Sequence, residues 1–359
     1  ERIRGVVREG TDDAAVVLGS GSITDLVKHA LQTENPQVPF VSVPTALTVT
    51  NSVFMSNTNG VGLGVSGGSL LATGNQFAWN AGGLSANGGS LTVSGNTILQ
   101  NGGIGMAVQN IYAPVITGNV VMSNTSYAIQ VRENGLPLNT GQIQSNTLAG
   151  NGVNGVVLGG GLSGESVLVK VPGVVYGIAG LAVNAGGSLL VEPGNVVKML
   201  AGQTLYVYGA LTVAGTTTDT VVFTSLRDDS WGGDTNSDGA ATVGAAQDWN
   251  AISVEPGGRA SLSWARLRYG GSSWNGNLVN QGATALDHVL IELGWRGLWS
   301  GSGTLTITDS RLSQNIWEGA TASGTALTAT NSVYMSNTNG VGLEGTAVRL
   351  DRGHVVTGP

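Results

Sequence analysis

The sequence predicts an all-β chain wound as a parallel β-helix, and three observations carry that prediction. The first is a short phrase that recurs through 91–157: Val-Ser-Gly-Asn96-Thr-Ile-Leu-Gln-Asn101, Ile-Thr-Gly-Asn119-Val-Val-Met-Ser-Asn124 and Ile-Gln-Ser-Asn146-Thr-Leu-Ala-Gly-Asn151. Upstream it continues as Ala-Thr-Gly-Asn75-Gln-Phe-Ala-Trp-Asn80 and, more loosely, Val-Thr-Asn-Ser52-Val-Phe-Met-Ser-Asn57. The second is spacing: the closing Asn falls at 57, 80, 101, 124 and 151, in steps of 23, 21, 23 and 27. That period is too long for a heptad, and its short alternating apolar runs are too strand-like for a helical repeat. The third is composition: 58 Gly in 359 residues, 41% hydrophobic and only 10% charged. Such a chain is dense in turns yet apolar enough to build a core, which separates it from disordered chains. One repeat cannot bury its own apolar face, so the repeats must stack, advancing about 4.8 Å per turn.

Stacking also gives the Asn a purpose. An amide at the same place in every coil bonds to those above and below, which satisfies an inward polar group. Asn further tolerates the left-handed backbone of a strand corner. Ligand binding by these Asn is the weaker alternative.

In chain order, residues 1–44 form an N-terminal segment. Within it Ile23, Leu26, Val27, Ala30 and Leu31 follow helical spacing behind Ser22-x-x-Asp25, and Pro36 and Pro39 close it. A helix there is expected to cap the first coil. A linker helix to an upstream domain is the alternative. The β-helix is expected over 45–359. The Asn phrase runs to about 158, where Gly159-Gly-Gly161 interrupts it, and strands of a second coil type follow: Leu181-Ala-Val183, Ser188-Leu-Leu-Val191, Leu205-Tyr-Val207 and Val221-Val-Phe-Thr224.

Within this second part stand, in order, Val-Glu-Pro-Gly-Asn-Val-Val-Lys198, Gly209-Ala-Leu-Thr-Val-Ala-Gly-Thr216, Val222-Phe-Thr-Ser-Leu-Arg-Asp-Asp229, Gly233-Asp-Thr-Asn-Ser-Asp-Gly239, Asp248-Trp249 and Arg268-Tyr-Gly-Gly271. This run over 188–271 resembles bacterial right-handed parallel β-helix repeat proteins of secreted or surface-anchored chains. The resemblance implies a right-handed solenoid scaffold in an extracellular or cell-surface setting. It implies no single activity, because the fold hosts lyases, adhesins and inert stalks alike.

An acidic insertion, 226–248, holds Asp228, Asp229, Asp234, Asn236, Asp238 and Asp248. Asp234-Thr-Asn236-Ser-Asp238-Gly239 opens like a calcium loop, although the acid expected at its twelfth position is Ala245. These six are the expected Ca2+ ligands, with a solvated acidic turn as the alternative. Beyond the insertion, Trp274-Asn-Gly276, Trp295-Arg-Gly297 and Trp317-Glu-Gly319 suggest one Trp per coil. Such rings would stack on one another, or, if they face solvent, bind extracellular polysaccharide. Residues 45–63 return at 325–343 with 17 of 19 positions identical, Val49 and Phe54 giving way to Ala329 and Tyr334. Duplication of a multi-coil block fits this better than drift, with local copying of one coil as the alternative. No lid is evident after Leu343.

The net charge of −7 and pI near 4.9 argue against nucleic acid and anionic membrane surfaces. No apolar run reaches the roughly 18–20 residues of a membrane span, so membrane insertion is not expected. The absence of Cys leaves the redox compartment open. The chain begins at Glu1 without Met or signal peptide, as a processed product or a piece of a longer protein would. The three His, at 29, 288 and 354, are scattered, and no nucleophile or phosphate motif is present. Asp287, Asp309 and Arg311 read as surface residues at strand ends. The expectation is therefore a non-enzymatic stalk, fibre or adhesin segment that self-associates head to tail. A glycan-binding module or a polysaccharide lyase or hydrolase is the alternative.

Overall fold

The computed structural model of the chain describes residues 21–23, 41–42, 46–272, 274–344, 347–350 and 355–357. It is all-β, a parallel β-solenoid of about 13 turns. Its contacts divide the chain into two units: Glu1–Asn134 with Asn139–Val157 and Val171–Val174, and Gly135–Leu138 with Leu158–Lys170 and Val175–Pro359.

Each coil of the first unit is three short strands and three corners. The coil Ala46–Thr50, Val53–Met55 and Val61–Ser66 is followed by Ser69–Thr73, Gln76–Ala78 and Gly82–Asn87, each strand pairing in parallel with its counterpart. Register places like on like. Leu47, Leu70 and Leu91 form one buried column and Val49, Ala72, Val93 and Ile116 another. Phe54 stacks on Phe77 with ring centroids 4.9 Å apart. Alternation along each strand sends these residues inward and their neighbours, such as Thr48, Leu71 and Thr92, outward, each buried apolar side chain contributing about 1.5–3 kcal/mol.

Two amide ladders run through the corners. The backbone N–H and Nδ2 of Asn96 both donate to Asn119 Oδ1, at 2.9 Å each, while its Nδ2 also donates to the Ala72 carbonyl. Asn75, Asn119 and Asn146 belong to the same ladder. Asn80, Asn101, Asn124 and Asn151 build the second in the same way. One expectation changes here. The ladder Asn are not the left-handed residues; the residue before each one is. Gly74, Gly95, Gly118 and Ser145 precede the first ladder with φ of 57–66°, and Trp79, Gln100, Ser123 and Gly150 precede the second with φ of 53–63°.

The second unit repeats the plan around an eight-stranded parallel sheet running from Glu165–Leu168 to Ala347–Leu350. Hydroxyls enter its ladders: Val289 N donates to Ser310 Oγ at 3.0 Å and Ser310 N to Ser332 Oγ at 3.3 Å, beside an Asn315–Asn337 amide pair. The near-copy of 45–63 repeats the first two strands of that coil, while its third, Asn339–Glu344, starts two residues earlier than Val61–Ser66 would place it. Its strands Ala326–Thr330 and Val333–Met335 match Ala46–Thr50 and Val53–Met55 residue for residue, and Asn331 and Ser336 repeat the positive φ of Asn51 and Ser56.

The N-terminal capping helix, expected from Ile23 to Leu31, lies outside the described residues but for its first position. Ile23 ends the strand Gly21–Ile23, which pairs with Leu47–Val49. Half of the chain after Leu343, where no lid was expected, is likewise outside them, and the described part continues the coils through Ala347–Leu350 and Val355–Thr357.

Candidate functional site

The acidic insertion leaves the second unit after the strand Val221–Ser225 and returns at Ala251–Val254. Its anchors are aromatic and cationic. Trp249 is fully buried and donates Nε1–H to the Arg268 carbonyl at 2.8 Å. A side chain at Gly270 would collide with that indole, which is why the close approach needs glycine. Arg266 lies over the Trp231 ring and Arg268 over Tyr269, at 5.6 and 4.8 Å. Arg268 also bridges two acids, donating Nη1 to Asp228 at 3.1 Å and pairing by charge with Glu292, whose Oε1 lies 2.9 Å from Nε.

The six polar residues read as ligands divide into two groups. Asp229, Asp234 and Asp238 each bring a carboxylate oxygen within 4.8 Å of the others. Asn236 joins them through Nδ2, which donates to Asp238 Oδ2 at 2.8 Å. Asp228 is turned to Arg268, Thr224 and Ser230. Asp248 is turned to Ser225, the Ala245 N–H and Arg227. Strong donors occupy those two, so the structure does not bring them into the cluster. Asp248 instead lines a cavity of about 160 Å³ with Ser225, Arg227, Asn236, Asp238 and Thr242.

The cluster is under electrostatic tension. One oxygen each of Asp229, Asn236 and Asp238 is shut off from solvent without a hydrogen-bond partner. Burial pushes the Asp229 carboxyl up; Lys198 opposes that and the charges of Asp234, Asp238 and Asp228 add to it. Lys198 is wholly buried in the strand Val196–Met199 and donates Nζ–H to the Gly233 carbonyl at 2.6 Å. Burial holds its ammonium below the usual range, against the pull of Asp229, Asp228 and Asp234. Sequence reasoning passed over Lys198, although a single Lys inside Val-Val-Lys-Met is a readable signal.

The Trp column forms only in part. Trp317 N–H donates to the Trp295 carbonyl at 2.7 Å, so these two stand on adjacent coils. Gly297 and Gly319 lead directly into Leu298 and Ala320, whereas Asn277 stands between Gly276 and Leu278; the register Leu278, Leu298, Ala320 therefore leaves Trp274 out of line. Trp274 is 84% exposed and Trp317 42%. Among the described residues Trp295 and Trp317 make no stacked ring pair, so the expected ring-on-ring packing is corrected, and the three do not form one flat stripe. A further ladder was missed: Asn110 Nδ2 donates to Asn87 Oδ1 at 2.8 Å and Asn134 Nδ2 to Asn110 Oδ1 at 3.1 Å. Its steps of 23 and 24 were there to be read.

Among known families, the model of the right handed beta helix region matches residues 29–167. Together with the stacked parallel strands, the match supports a right-handed β-helix repeat protein. Searches of curated proteins and of solved structures found no match. β-Helix regions of this kind occur in enzymes and in non-enzymes. No helix among the described residues is long and apolar enough to cross a membrane.

Proposed function

We propose that the chain is an extracellular structural element, a stalk, fibre or adhesin segment, that associates head to tail. The observation that carries this reading is the returning coil. Coils 46–63 and 326–343 share sequence, the bounds of their first two strands and the geometry of the corners that follow them, so coil material that stacks on one over those strands fits the other in register. A contact of that kind is heterologous and does not close on itself, and it propagates as a filament. The same geometry serves a covalent array of such blocks. Sedimentation over a wide concentration range is the test. Elongated species that grow with concentration are expected, or a native gene carrying several blocks. A compact monomer at every concentration, from a gene with a single block, would reject both forms.

Within this role the acidic insertion is proposed to hold Ca2+. The support is the convergence of Asp229, Asp234 and Asp238 with partnerless oxygens on Asp229, Asn236 and Asp238. Ca2+ takes six to eight oxygen ligands, and it would offset the burial and the carboxylate repulsion that together raise Asp229. Calorimetric titration of chelator-stripped protein should give one calcium per chain and a higher melting temperature, both lost in Asp238→Asn. No heat, and no change in melting at millimolar calcium, would end the proposal.

A further inference from the structure

We propose that Asp287, His288 and Asp309 form a second cation site in the second unit, selective for a zinc-type dication over calcium. One ligand atom from each of the three lies within 4.8 Å of the others. An imidazole with two carboxylates is a borderline donor set, suited to Zn2+ or Co2+, where the all-oxygen cluster of the acidic insertion suits Ca2+.

The donors come from two successive coils whose backbones are locked together. Asp287 ends the strand Ala283–Asp287, paired with Thr304–Thr308, and Asp309 follows that second strand. His288 N–H donates to the Thr308 carbonyl and Asp309 N–H to the Thr330 carbonyl, both at 3.1 Å. The imidazole is held independently of the acids. It stacks on Trp264 of the preceding coil with centroids 4.1 Å apart and planes 18° from parallel. Its Nδ1 lies 2.8 Å from Asp287 Oδ1, a separation at which both atoms can face one small cation. Asp309 supplies the donor from the next coil. A ring clamped by an indole, between carboxylates set one strand spacing apart, meets a small cation with little rearrangement. Three protein donors leave the remaining coordination positions to water, as the exposure of Asp287 and Asp309 allows.

The competing arrangement is a protonated imidazole acting as counter-ion to both carboxylates. Cobalt separates the two, because Co2+ held at a low-coordinate protein site shows d–d bands far stronger than those of the aqua ion, and a counter-ion pair leaves the aqua-ion spectrum unchanged. Titration with Co2+, then displacement by Zn2+, should reveal one such site per chain that millimolar Ca2+ does not compete away. Asp309→Asn and His288→Asn should each weaken it at least about tenfold. His288→Asn keeps a residue that tolerates the left-handed corner, and circular dichroism confirms its fold. Asp238→Asn in the acidic insertion should leave cobalt binding unchanged. Visible bands no stronger than those of the aqua ion, or unaltered cobalt affinity in folded His288→Asn, would overturn the site.

Discussion

Asn124→Ala is expected to lower the stability of the first unit by about 3–4 kcal/mol, a large fraction of what a domain commonly has. The side chain accepts from the backbone N–H and Nδ2 of Asn101, at 3.1 and 2.8 Å, and donates to the Ile98 carbonyl and to Asn151 Oδ1. Alanine removes all four bonds at once. The Asn101 backbone N–H is left buried without an acceptor, the costly half of the exchange. Asn134→Ala is the control, since Asn134 makes the same type of ladder bond on the exposed surface, where water substitutes. Denaturant unfolding of the two variants checks this. If Asn124→Ala lies within 1 kcal/mol of Asn134→Ala, the buried ladder is not a major source of stability.

Glu133→Gln is expected to flatten the pH dependence of the same unit and to stabilise it at neutral pH. Glu133 is fully buried; Oε1 accepts from the Ile111 N–H at 3.1 Å, and Oε2 has no partner. Burial pushes its carboxyl up from 4.5 to about 7, with the Ile111 bond opposing. The folded state therefore holds a proton that the unfolded chain has already released. Its contribution is fully present below about 4.5 and is lost as pH rises to about 7. The loss is on the order of 2–3 kcal/mol. Melting temperature should thus fall from pH 4.5 to 7.5 more steeply in the wild type than in Glu133→Gln. Parallel curves would reject the assignment.

The fold was legible because its logic is periodic. Asn ladders, apolar columns and the returning coil all express the parallel register, and a register appears in sequence as spacing. Glu133 was legible by the same rule: Ile129 and Val131 point inward, and two residues on Glu133 does too. What spacing does not reveal is which partner claims a side chain from afar. Asp228 is taken by Arg268, 40 residues on, and Asp248 by Arg227, 21 residues back. The insertion of Asn277 displaces Trp274 in a way that only the strand register exposes. His288 and Asp309 read as isolated surface residues because their proximity arises between coils and not along the chain.

The ladders also bear on how the protein ages. Asn followed by Gly is the dipeptide most prone to deamidation, because the unhindered glycine nitrogen attacks the side-chain amide to form a succinimide. Asn101 and Asn151 both carry that sequence. In the folded chain the attacking nitrogen is already engaged: Gly102 N donates to the Asn80 carbonyl at 2.7 Å and Gly152 N to the Asn124 carbonyl at 3.0 Å. Each side-chain amide is itself buried and bonded to its neighbours. Ring closure would require breaking both restraints together. The bonds that join one coil to the next thus protect two of the eight Asn–Gly links of the chain, whereas exposed Asn59, Asn87 and Asn134, each also followed by glycine, lie outside the two buried ladders.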